Sequence, residues 1–260
     1  MKQLFFSFFL LANLLSAQDN ITLKSIDSTL LNVKSINGID NFGTLYYTTK
    51  DNSFIKRTTS QSLNYSNFQL GDITSSNPFN PLKINVFYKD FNTVILLDNR
   101  LAEISKLDFN QIEPFRNVSH VSTGYDSTIW IFNQDTQQLE LFDYLILKTK
   151  LKTIPVRSQV LDLKSNYNYC YMLTENFLYI YNYFGSLITK VKNEGYTEIG
   201  FTKGSLFLKK ENQLSIFNEE TAELKELNHP NLLIKQFLVT NETLYIYDGE
   251  LLRRYQLKNQ

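Results

Sequence analysis

Hydrophobic residues in this chain come in short runs of β-branched and aromatic side chains. Each run is broken by an acidic or Asn turn and followed by a second run. The phrase is written six times: LYYTTKDNSFIKR from Leu45, VILLDNRLAEISKL from Val94, IWIFNQDTQQLELF from Ile129, CYMLTENFLYIY from Cys170, LFLKKENQLSIF from Leu206 and LYIYDGELLRRYQL from Leu244. Successive copies begin 49, 35, 41, 36 and 38 residues apart. These steps lie near the roughly 40–45 residues of a four-stranded propeller blade. Tyr, Phe, Ile and Thr suit a pleated surface, and no long helical period competes. The pattern predicts an all-β fold, a six-bladed β-propeller in which each phrase supplies the second and third strands of a blade.

Upstream of each phrase lies a run expected to form the inner strand: VKSI, INVF, SHVS, LDLK, TEIG and KQFL. In each, a polar residue precedes an apolar one: Ser35, Asn85, His120, Asp162, Glu198 and Gln236. The offset to the phrase is nearly constant, at 10, 9, 9, 8, 8 and 8 residues. Strand side chains alternate faces, so a fixed slot implies one shared direction. These six side chains are therefore expected to line the channel or its mouth. Outer strands are expected at Leu63–Leu70, Phe109–Phe115, Leu145–Leu151, Leu187–Lys192 and Leu224–Leu227. The sixth copy ends after its third strand, and Ile21–Leu31 is expected to complete it. Such a clasp would close the ring and cover an open sheet edge.

Composition narrows the function classes. With 26 basic and 26 acidic residues and an estimated pI of 6.7, no basic stripe for nucleic acid is present. The start of the chain has the layout of a cleaved secretory signal: Met1-Lys2, an apolar run from Leu4 to Leu15, then Ser16-Ala17. Residues 1–17 are expected to be removed and 18–260 to form one propeller domain in the periplasm, with no membrane span of its own. Cys170 has no intramolecular partner and stands where other copies carry Leu, Val or Ile, so it reads as a buried apolar position. Trp130, within IWIF, reads as core.

Catalytic signatures are sparse. There is no G-x-S-x-G elbow, P-loop or G-x-G-x-x-G, and no catalytic residue, metal or cofactor is assigned. The alternative is a metal-assisted hydrolase or lyase in the channel, built from the slots of three consecutive blades, His120, Asp162 and Glu198. Loop chemistry gives a second set of candidates. The connection Ser75–Pro81 holds Phe79 between two prolines, and a rigid exposed aromatic is a common interface anchor. With this connection placed between blades, Asn77, Pro78, Phe79, Asn80 and Pro81 would share a face with Arg116, Arg157 and His229. The same face would carry the hairpin turns with Asp51, Asp98, Asp135, Glu175, Glu211 and Asp248.

Asp27-Ser28-Thr29 and Asp126-Ser127-Thr128 resemble the acceptor for O-glycosylation in bacteria that export by the type 9 route. The signal ending in Ser-Ala-Gln, the Asn/Lys/Ile/Tyr/Phe-rich composition and the blade repeats together resemble a small exported propeller of that group. Within it, the chain is similar to periplasmic propellers that accompany outer-membrane machinery, including the plug-type protein of the type 9 translocon. The resemblance implies a non-catalytic protein-binding module whose partner is an outer-membrane protein or complex. It carries over no functional residue.

Overall fold

The computed structural model describes residues 22–258, except 203–204, 219–220, 222 and 241. The signal-like segment lies outside the described residues. Those described form six four-stranded antiparallel sheets, the expected six-bladed propeller. Blade 1 comprises Ser35–Ile39, Leu45–Thr48, Phe54–Arg57 and Ser62–Tyr65. Blade 2 comprises Ser75–Asn77, Ile84–Tyr88, Thr93–Leu97 and Glu103–Asp108. Blade 3 runs Val118–Thr123, Thr128–Asn133, Gln138–Asp143 and Lys148–Lys152. Blade 4 runs Val160–Ser165, Tyr169–Thr174, Phe177–Asn182 and Leu187–Lys192. Blade 5 runs Glu198–Thr202, Ser205–Lys210, Gln213–Phe217 and Leu224–Glu226.

Blade 6 draws on both ends of the described chain. Gln236–Val239, Thr243–Tyr247 and Leu251–Lys258 are completed at the rim by Thr22–Leu30. The clasp pairs antiparallel from Thr22 against Lys258 to Leu30 against Leu251. Its continuation is tied down by Tyr247, whose hydroxyl donates to the Leu31 carbonyl at 2.8 Å. Leu31 and Val33 are buried with Ile36, Tyr245 and Leu252 between blades 6 and 1.

The middle strands are apolar on both faces because both faces are covered. In blade 3, Ile129 and Ile131 pack with Phe87, Val94 and Leu96 of blade 2. Trp130 and Phe132, on the opposite face of the same strand, pack with Val160, Leu163 and Met172 of blade 4. Each strand thus serves two interblade cores, which explains why its hydrophobic run is continuous rather than alternating. Cys170 is wholly buried, as expected, and burial pushes its thiol well above the usual range.

Blade 2 corrects the strand assignment by one. Ile84–Tyr88 and Thr93–Leu97 form its second and third strands, joined by the turn Lys89–Asn92 with Asn92 in the left-handed region. Asn85 is therefore buried on a second strand and does not line the channel. The inner strand is Ser75–Asn77, inside the segment expected to be an interblade loop, and Ser75 pairs with Phe87. Phe109–Phe115 is part of the connection to blade 3 rather than an outer strand.

At the hairpin of blade 6, burial raises the Asp248 carboxyl, but the Leu251 and Glu250 amides and the Arg253 guanidinium outweigh this and bring it to about 2. A carboxyl depressed on folding stabilises above its unfolded value of 3.8. That contribution is lost as pH falls toward 2. The stability gap between the protein and Asp248→Asn, measured by urea unfolding, is expected to shrink between pH 5 and pH 2.5.

Candidate functional site

Antiparallel connectivity gives the ring two distinct faces. The upper face carries the connections between blades and the turns between second and third strands. The lower face carries the turns between first and second strands and those between third and fourth. Phe79 follows the inner strand of blade 2 and so belongs to the lower face. Arg157 and His229 lie in interblade connections and belong to the upper one. Arg116 belongs to neither surface. Its side chain is buried, with Nε donating to Glu140 Oε2 at 3.1 Å and one terminal nitrogen to Thr149 Oγ1 at 3.0 Å. The expected common face of Phe79, Arg116, Arg157 and His229 is thus split three ways. The acidic turns divide as well, since Asp98 lies between the third and fourth strands of blade 2.

Two of the slot side chains, Asp162 and Gln236, fasten neighbouring inner strands together. The Ile199 N–H donates to Asp162 Oδ2 at 2.8 Å, joining blade 4 to blade 5. The Ile36 N–H donates to Gln236 Oε1 at 2.8 Å, joining blade 6 to blade 1. Glu198 is held within its own blade by Lys209 at 2.6 Å. His120 is half-buried, and its Nδ1 lies 3.0 Å from Ser119 Oγ. Burial holds its imidazole below the usual histidine range, against the Asp162 carboxylate and with help from Lys89 and Lys164. Two inner strands reach their slots through bulges, between Val118 and His120 and between Val160 and Asp162. Among the described residues no three His, Cys, Asp or Glu side chains gather as metal ligands would. His120, Asp162 and Glu198 therefore do not form the ligand set of the enzyme alternative.

Blades 2, 3 and 4 are stitched together further down the channel. Asn77 Nδ2 donates to Ser122 Oγ at 3.0 Å, and Ser165 Oγ donates to the same atom at 2.7 Å. Asn85, displaced from the channel, donates to Thr123 Oγ1 at 3.3 Å. Lys83 is a buried strut that sequence reading missed. Its ammonium donates to the carbonyls of Gly124, Asp126 and Thr128 at 2.9, 2.6 and 2.9 Å. Burial pushes it down to about 8, opposed by Asp126 and Asp143.

The central cavity has a volume of about 710 Å³. Asp162, Glu198 and Gln236 line it, together with Asp40, Phe79, Asn166, Tyr167 and Phe201 at its lower mouth. Across the mouth, the Phe79 ring meets Tyr167 of blade 4 at 5.1 Å and Phe201 of blade 5 at 5.8 Å between centroids. Further out on the same face, blades 3 and 4 present an apolar rank. Leu145, Ile146 and Leu147 form one turn, with Leu145 72% exposed. Tyr183 and Phe184 form the next turn, with Phe184 66% exposed. Tyr183 bridges back to Tyr125 of blade 3 at 5.7 Å. The turn is seated by Gly185, whose φ is +76° and whose absent Cβ would meet Leu151 Cδ1 at 2.6 Å. Exposed apolar side chains on the upper face, including Phe68, Phe115 and Ile154, come from separate connections. Runs of adjoining exposed apolar residues mark interaction surfaces more reliably than single ones.

No family model matches the chain, and no curated protein matches it in sequence. Solved structures do. A catalytically inactive variant of virginiamycin B lyase from Staphylococcus aureus, with quinupristin, is 11% identical over 92% of this chain and 94% of its own, with a TM-score of 0.64. A streptogramin B lyase is 12% identical over 93% and 89%, with a TM-score of 0.64. A chain of a mitotic checkpoint complex is 8% identical over 91% and 95%, with a TM-score of 0.62. The likeness is one of fold. At these identities it transfers no residue and no reaction.

Proposed function

We propose that the protein is a non-catalytic binding module of the bacterial envelope, docking by its lower face on an outer-membrane protein or complex. The observation that carries the docking face is the pair of exposed apolar turns on neighbouring blades, Leu145-Ile146-Leu147 and Tyr183-Phe184. Burying such a rank against a partner removes apolar surface from water, at about 25 cal/mol per Å². Aromatic anchors set in a rigid turn lose little entropy on binding. The propeller fold is compatible with this role, and one solved structure sharing it is a chain of a mitotic checkpoint complex. The envelope setting rests on the signal-like layout of residues 1–17 and the composition. The same features support the finer reading, a plug or scaffold of the type 9 secretion translocon. A photoreactive residue at position 184 is the test. It is expected to cross-link to an envelope protein in intact cells, whereas the same residue at position 157 on the upper face is not.

A further inference from the structure

The lower mouth of the channel has a chemistry distinct from the rank on blades 3 and 4. Its aromatic group is assembled from three blades: Phe79 from blade 2, Tyr167 from blade 4 and Phe201 from blade 5. Phe79 and Tyr167 remain 38% and 47% exposed despite that contact. The turn bearing Phe79 is held before any ligand arrives. Pro78 is buried against Gly38, where an added Cβ would lie 2.5 Å from Pro78 Cγ. The Phe79 N–H donates to Asn77 Oδ1 at 2.9 Å, and the Leu82 N–H donates to Asn80 Oδ1 at 3.0 Å. Tyr167 sits in an equally fixed turn, where the Asn168 and Tyr169 amides both donate to Asn166 Oδ1 at 2.8 Å.

Around these rings the rim is polar and nearly neutral. Asp162 faces Lys164 at 3.7 Å and Glu198 faces Lys209 at 2.6 Å, so both deeper carboxylates are compensated. At the mouth itself the groups are mainly amides, from Asn37, Asn41, Asn166 and Asn168, with the Asp40 carboxylate among them. Among the described residues the side chain of Asn168 has no hydrogen-bond partner, and Asp40 accepts through Oδ1 alone, from the Phe42 and Thr44 amides. Fixed aromatic surface therefore stands beside planar amides and a carboxylate oxygen. A ligand fitting both needs a face of C–H groups for the rings and hydroxyls at its edge. An anionic ligand would meet little opposite charge in compensation, and the single Asp40 carboxylate gives a cation one partner at most.

We propose that this mouth is a binding site for a neutral oligosaccharide, with Phe79 and Tyr167 contacting the C–H face of a sugar ring and Asn166, Asn168 and Asp40 its hydroxyls. The cavity of about 710 Å³ that these residues line, mouth included, accommodates more than one ring. The inference is independent of docking by blades 3 and 4.

The test uses saturation-transfer NMR on the protein with cellotriose, maltotriose, N,N′,N″-triacetylchitotriose and an uncharged tripeptide. At least one saccharide is expected to bind and the peptide not to. Tyr167→Ala is expected to weaken saccharide binding about tenfold, the order of one aromatic contact. Tyr167→Phe should keep most of the affinity, and Asn168→Ala should reduce it. Phe184→Ser should leave it unchanged, which separates this site from the docking face. Because Tyr167 is exposed on a turn, unchanged thermal unfolding of Tyr167→Ala is expected and is checked alongside. Failure of all three saccharides, binding of the peptide alone, or saccharide binding indifferent to both Tyr167→Ala and Asn168→Ala would each overturn the proposal.

Discussion

Removal of the chain through Leu30 is expected to abolish the single cooperative unfolding transition and to yield an aggregating protein. The clasp is the outer strand of blade 6, and its ladder with Leu251–Lys258 runs through eight residue pairs. Arg254 also pairs with Asp27 across the two strands. Without the clasp, Leu251–Lys258 becomes an unpaired edge carrying the apolar side chains of Leu252, Tyr255 and Leu257. Exposed edges of that kind recruit other chains. The loss is expected to reach about 4 kcal/mol or more, a large part of the roughly 5–15 kcal/mol available to a domain. Urea unfolding and size-exclusion chromatography measure it. A synthetic peptide of residues 22–32 added in excess should restore the monomer and its transition. Unchanged unfolding of the truncated chain would show that the ring does not depend on the clasp.

The second large effect is expected at Arg116. Arg116→Leu leaves Glu140, whose side chain is wholly buried, without its principal cation. Asn133, Thr149 and the half-exposed Lys152 still reach the carboxylate, and together they hold part of its charge. Removing one partner of a buried pair typically costs about 3–5 kcal/mol, and the remaining contacts place the expectation near 3. Replacing both partners, Arg116→Leu with Glu140→Leu, should recover much of the loss because no buried charge is left over. Arg157→Ala should stay within about 0.5 kcal/mol, as for most exposed positions. Denaturant midpoints for the four proteins decide the matter, and equal losses for Arg116→Leu and Arg157→Ala would refute it.

That contrast shows what the sequence could and could not reveal. Fold class, blade count and clasp were legible because strand runs, turn residues and spacing recur in every copy. The buried state of Cys170 and Trp130 followed from their place within a copy. Blade 2 departs from the expected strand order for a physical reason. Its two middle strands are fully buried, so INVFY and TVILL carry no alternating pattern to separate a second strand from an inner one. Its inner strand, SSN, is short and polar and looks like a loop. The nine-residue offset from Asn85 to Val94 then mimicked the spacing of the other blades. This one-strand shift moved Phe79 to the lower face and separated it from Arg157 and His229.

Arg116 resembled a surface arginine because nothing local announces Glu140, 24 residues away, as its partner. Lys83 was missed for the same reason, since the carbonyls that hold it belong to a turn of the next blade. The exposed rank at Leu145-Ile146-Leu147 has a visible signal, three consecutive apolar residues directly after Asp143-Tyr144. The pattern places it in an outer strand over Leu145–Leu151, whereas the strand begins only at Lys148. The aromatic mouth could not be read from spacing, because Phe79, Tyr167 and Phe201 come from different blades.

If the lower face holds a partner, in-cell photo-cross-linking captures it. One protein carries the photoreactive residue at position 184 and another carries it at position 157, both expressed at native level. A discrete adduct with one outer-membrane protein from position 184, absent from position 157 and lost when Ile146→Ser is added, is the predicted result. An adduct formed only from position 157, or no adduct from position 184 in cells where the protein is folded and present, would show that the lower face does not hold a partner.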